Sequence, residues 1–166
     1  MKLSIKIDIP EEGDPPSPLL PRTIVKLESV FEKELPLLSP QLENYAEVEV
    51  SVSFMDDAEM KALNKQHRGF DEPTNVLTFP LWEEMGRFAP PAAFDMLPLG
   101  DVVICPEETE REHAPMVRGE ALCLVLAHGF LHLLGLDHDT PEKEEIMRER
   151  QEFLKSRLLN AIEEVS

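Results

Sequence analysis

The sequence is short of cysteine, of long apolar runs and of positive charge, and each shortage excludes something. Two cysteines, Cys105 and Cys123, are too few for a disulfide framework and lack the C-x-x-C spacing of a redox or zinc motif. They are expected to be buried free thiols. No apolar stretch approaches the roughly 20 residues that a membrane-spanning helix needs. The opening residues Met1 to Lys6 alternate polar and apolar and contain no signal-peptide core, so the expected location is the cytoplasm. Lysine and arginine number 16 against 33 acids, a net charge of −17 that argues against a generic nucleic-acid binder. The acids are spread along the chain, and there is no internal repeat or low-complexity tract. What remains is an ordinary globular composition, 42% hydrophobic over 166 residues, in a length that suits one domain spanning 1–166.

Periodicity supplies the elements. Lys2 to Ile9 alternates and predicts a strand, followed by a proline-rich acidic connection from Pro10 to Pro21. Thr23 to Glu34 predicts a helix. Glu47 to Phe54 alternates through Val48, Val50 and Val52 and predicts a second strand. Asp56 is placed to cap a helix running to about His67. Asn75 to Phe79 and Asp101 to Cys105 predict two more strands, joined by a long connection from Leu81 to Pro98 that is a candidate wall of a substrate groove. Val117 to Leu134 is apolar nearly all round, the pattern of a central, buried helix. Thr140 and Pro141 mark the start of a last helix, with Ile146, Met147, Phe153, Leu154, Leu158 and Ile162 as its apolar face. Four strands and several helices in mixed order imply an α+β or α/β sandwich.

The buried helix carries the chemistry. Of the chain's five histidines, His128, His132 and His138 fall within eleven residues. His128 and His132, four apart, project from one helix face. Gly135 lets the helix end and the chain turn back toward His138. Three imidazoles that leave a coordination position open are the ligand set of a catalytic zinc, not of a closed structural one. The spacing matches the zinc-peptidase pattern H-E-x-x-H-x-x-G-x-x-H, except that Gly129 replaces the glutamate that serves there as general base. Inside a helix, that glycine costs about 1 kcal/mol relative to alanine. The expected offset is room beside the metal for a bulky substrate.

The stretch from His128 to His138 resembles the H-G-x-x-H-x-x-G-x-D-H signature of the YbeY family of bacterial endoribonucleases, also described as rRNA maturation factors. Leu63 to Pro80 is similar to that family's L-N-x-x-Y-R-x-x-D-x-P-T-D-V-L-S-F-P, and Leu99 to Ile104 to its L-G-D-I-x-I. His67 stands where the family usually has tyrosine, and Asn75 where it usually has aspartate. The resemblance implies an α+β fold, with a mixed four-stranded sheet packed against several helices around a central buried metal-binding helix. It also implies a single-strand-specific, Zn2+-dependent endoribonuclease that matures rRNA at the 3′ end of 16S rRNA and takes part in ribosome quality control. The implied partners are single-stranded rRNA and the ribosomal subunit or its proteins.

Arg68 is the expected catalytic residue. Its planar fork matches two phosphate oxygens, and the family's arginine at this place is regarded as essential. The alternative is a structural clamp on Asp71 or Asp101. The best local basic patch is Lys61, Lys65 and Arg68, against the plainer expectation of a solvated helix face on which Asp57 pairs with Lys61. Asp137 is expected to orient an imidazole. Asp139, Glu107 and Glu108 are unranked candidates for the general base. His113 is expected to be solvated, and His67 to line the site beside Arg68. Two other functions compete: a zinc metallopeptidase-like hydrolase, and a non-catalytic zinc-bearing ribosome-assembly factor.

Overall fold

A computed structural model describes residues 4–9, 21–92, 95–116 and 118–165. Four strands form the main sheet: β1 (Ser4–Asp8), β2 (Glu47–Phe54), β3 (Val76–Pro80) and β6 (Met96–Ile104), in the order β1-β2-β6-β3. β1, β2 and β6 run parallel, and β3 pairs antiparallel with β6. Five helices accompany them among the described residues: α1 (Pro21–Leu38), α2 (Asp57–Arg68), α3 (Pro106–Glu112), α4 (Arg118–Leu133) and α5 (Pro141–Val165). The fold is the expected α+β sandwich. The connection expected from Pro10 lies outside the described residues as far as position 20. No helix among the described residues is long and apolar enough to cross a membrane.

Two apolar layers sandwich the sheet. On one face α1, α4 and α5 share a core with Val48, Val50, Val52, Leu97, Leu99, Val102 and Ile104, and Phe31 of α1 stacks on Phe130 of α4 at 3.8 Å between ring centroids. On the other, Met60 of α2 meets Leu77, Val103 and Cys105. Leu99 and Val102 share a face although they stand three positions apart, which regular alternation forbids. An extra residue in β6 resolves this: Glu49 pairs with Pro98, and Val50 with Gly100. Gly100 holds φ +136, and a Cβ there would lie 2.2 Å from the Phe79 carbonyl oxygen. The glycine of the L-G-D stretch is therefore a bulge residue.

Three expectations are corrected, and one helix is added. The region from Leu81 to Pro98 is not one irregular loop. It contains a hairpin, β4 (Glu83–Glu84) and β5 (Arg87–Phe88), and the first residues of β6. Met85 and Gly86, both at positive φ, make its turn. The missed start of β6 holds Pro98 and Gly100, which break a strand pattern. The missed α3 contains no large apolar residue, so periodicity could not reveal it; Thr109 Oγ1 donates to the Cys105 carbonyl at its start. The buried ladder of α5 is Met147, Leu154, Leu158, Ala161 and Ile162, whereas Ile146 and Phe153 each lie one position off it and are exposed.

Capping fits the sequence closely. Asp56 accepts from Glu59 N and starts α2, and Thr140 Oγ1 accepts from Lys143 N and starts α5. The outer edge of β1 is covered from the side: Glu32 and Glu28 of α1 accept the N–H groups of Ile5 and Ile7 at 3.0 and 2.7 Å.

Candidate metal centre

α4 carries His128 and His132 over β6 and β3. Its end is fixed by two hydrogen bonds, Leu136 N to Leu131 O and Gly135 N to His132 O, with Gly135 at φ +85. This pairing closes the helix and reverses the chain, which brings His138 back to the helical pair. Gly135 is doubly constrained. A Cβ there would meet Phe88 N at 2.9 Å, so the hairpin lies directly against the turn that delivers His138.

The three rings converge as expected. Ligand atoms of His128, His132 and His138 all lie within 4.8 Å of one another. Nitrogens about 2.0–2.1 Å from a tetrahedral zinc stand roughly 3.4 Å apart, so the cluster needs only modest closure around an ion. His128 and His132 are half-buried, and His138 is exposed. Burial lowers the His128 pKa. It also lowers that of His132, to about 4, with the neighbouring rings of His128 and His138 adding to the effect. Both are therefore neutral at pH 7, the form that binds a metal.

The backbone of Leu136 in the turn lies beside His132 and partly offsets the drop in its pKa. His128 Nδ1 lies 2.7 Å from Gln151 Oε1 of α5. Sequence reasoning missed Gln151. The available signal was a glutamine in the inward ladder of α5, between Met147 and Leu154. Asp137 does not take the expected role: it accepts from the backbone N–H of His138, not from a ring.

The histidines open into a cleft of about 240 Å³, lined also by Arg68, Val76, Leu77 and Thr78. Arg68 ends α2, packs 5.3 Å from the Phe70 ring centroid and forms no ion pair among the described residues. The clamp on Asp71 or Asp101 is thus not seen; Asp71 lies 4.0 Å from Lys65 instead. His67 does not line the cleft but meets Phe79 edge-on at 4.9 Å. Asp57 pairs with Arg111, not Lys61, and Arg111 also binds Glu108. This Arg111 contact lowers the Asp57 pKa, and hydrogen bonding to Asp57 raises that of Glu107. Asp139 pairs with Lys143. None of these acids lines the cleft. His113 is half-buried with Nε2 3.4 Å from Asn75 Nδ2, so it is not simply solvated. Cys105 and Cys123 are buried and free, their thiols pushed by burial to about 11 and about 12.

Gly129 does not leave open space beside the histidines. A Cβ there would lie 2.8 Å from Val102 Cγ1 and 3.6 Å from Thr78 Cγ2. The glycine lets α4 settle on the sheet. A glutamate at this place would meet packed side chains.

Comparison with known proteins agrees with this geometry. The family described as Endoribonuclease YbeY matches residues 22–159. A protein named Endoribonuclease YbeY from Thermoanaerobacter sp. (strain X514) is 39% identical over 142 residues, covering 81% of this chain and 89% of its own. Its namesake from Pelotomaculum thermopropionicum is 44% identical over 117 residues, covering 68% and 73%. The solution structure of TM1509 from Thermotoga maritima superposes with TM-score 0.50 at 29% identity, covering 95% of this chain and 89% of the other. Fold and relatives together define a hydrolase of α+β architecture, and its three-histidine cluster is compatible with a metal. More particularly, the chain belongs to the Endoribonuclease YbeY family.

Proposed function

We propose that residues 1–166 form one domain in which His128, His132 and His138 hold a zinc ion and Arg68 grips the scissile phosphate. The enzyme is a metal-dependent endoribonuclease. Its proposed substrate is single-stranded RNA in rRNA maturation, within the cytoplasm. The observation that carries this reading is the shared cleft, where a guanidinium without an ion partner among the described residues accompanies three clustered imidazoles.

Zinc held by these histidines would supply Lewis acidity and would lower the pKa of a water. The chain's own groups do the rest. Arg68 offers a permanent charge and a bidentate fork to the phosphate, which places it in line with the histidines and stabilises charge as it grows. No carboxylate lines the cleft among the described residues, so the glutamate-based peptidase route lacks its base. With a net charge of −17 the protein repels RNA at long range. Lys61, which has no ion partner among the described residues, and Arg68 provide a local counterweight. A ribosomal subunit or ribosomal protein is the proposed partner that brings the RNA to the cleft.

The test is incubation of the pure protein with single-stranded RNA, duplex RNA and casein, with and without chelator, then with zinc restored. Chelator-sensitive cleavage of single-stranded RNA alone is expected. Casein cleavage would favour a peptidase, and zinc binding with no cleavage of any substrate would favour an assembly factor.

A further inference from the structure

His128 is tied to a helix that lies outside its own motif. Gln151 sits on the inward ladder of α5, 23 residues away, and its Oε1 approaches His128 Nδ1 to 2.7 Å. An amide oxygen carries no hydrogen and accepts only. His128 must then hold its hydrogen on Nδ1, which leaves the Nε2 lone pair free for a metal. The helix backbone fixes where the ring is rooted, but not its rotation or its tautomer; a partner anchored between buried Met147 and Leu154 fixes both.

We propose that Gln151 is a positioning residue that selects the Nδ1–H tautomer of His128 and aims Nε2 at the metal, an inference that rests on the metal reading above. The docking of α5 on α4 thereby becomes part of metal affinity. An acceptor of stronger charge at the same place serves the same purpose, whereas an apolar side chain of similar size keeps the packing and loses the selection.

Wild type, Gln151→Leu and Gln151→Glu are to be stripped of metal and titrated with zinc against a competing chelator. Metal-free melting curves are recorded for each. Long-range proton–nitrogen NMR above the imidazole titration range reads the His128 tautomer without any metal. The wild type is expected to show the Nδ1–H form. Gln151→Leu is expected to lose that preference and to bind zinc about 10- to 100-fold more weakly, with metal-free melting unchanged. Gln151→Glu is expected to keep the tautomer and bind zinc at least as tightly as wild type. An Nε2–H tautomer in the wild type overturns the inference, as does a leucine variant of undiminished affinity or a glutamate variant as weak as leucine. Should Gln151→Leu not fold, the wild-type tautomer and the glutamate variant decide. A wild type that binds no zinc overturns the metal reading and this inference together; equal affinities across the set overturn this inference alone.

Discussion

The two helical histidines and the two groups at element ends are built differently. His128 and His132 stand on α4, half-buried and neutral, and Gln151 of α5 holds the His128 ring. His138 and Arg68 are exposed; one follows a helix-closing turn and the other ends α2. In the proposed site the first pair would be a fixed base for an ion, and the second lies where solvent and a long polymer could reach it. A site proposed to bind a small cation firmly and to admit an RNA strand would divide those tasks between rigid and open parts.

The largest expected effect breaks the rigid part. His132→Ala should lose zinc almost completely, as measured by metal analysis, and RNA cleavage with it. Stoichiometric zinc in that variant would remove His132 from the ligand set.

Next comes the open part. Arg68→Lys and Arg68→Ala should keep fold and zinc while single-turnover RNA cleavage falls by about 10² to 10³, the usual cost of removing one preorganised stabiliser of a transition state. Lysine fails here because it keeps the charge without the fork. Near-wild-type cleavage by the alanine variant would sink the catalytic role, and a fall in melting temperature matching the lost activity would make Arg68 structural.

A smaller effect separates packing from chemistry at Gly129. Gly129→Ala places a methyl 2.8 Å from Val102 Cγ1 and should cost roughly 1–3 kcal/mol in denaturant titration. Gly129→Glu should cost more and should not yield a peptidase. An unchanged midpoint for the alanine variant would mean that α4 does not rest on the sheet at this point.

The last comparison concerns pH. The His132 pKa drops from 6.5 to about 4 on folding, so the unfolded chain takes up the proton first as the medium acidifies. Its contribution to metal-free stability is complete above about 6.5 and drains away toward 4. Wild type should therefore lose stability more steeply across that window than His132→Ala. Parallel pH profiles would contradict the burial of this ring.

Local pattern carried much of this to the sequence reader. Strand β2 from Glu47 to Phe54, the Asp56 cap and the Thr140–Pro141 start each depend on neighbours a few residues away, and the structure reproduces them. The triad was legible for the same reason, since a helical period and one glycine turn bring it together. What stayed hidden depends on distant partners. The neighbour of Gly129 is Val102, and the pairing of Asp57 is with Arg111, 54 residues on. Gln151 reaches His128 only because α5 folds back on α4. The first half of β6 was lost because a bulge at Leu99 and Gly100 disrupts the alternation that betrays a strand.

The carboxylates of Glu28 and Glu32 have a consequence beyond the hydrogen bonds they accept. They occupy two of the backbone donors that β1 turns away from the sheet, at the end opposite β3. A strand from another copy that approached this edge would meet negative charge where it needs free N–H groups. Sheet extension is thus blocked on one flank. The strand at the other end of the sheet is β3, and its Val76, Leu77 and Thr78 line the cleft, so the guarded edge and the cleft lie on opposite flanks.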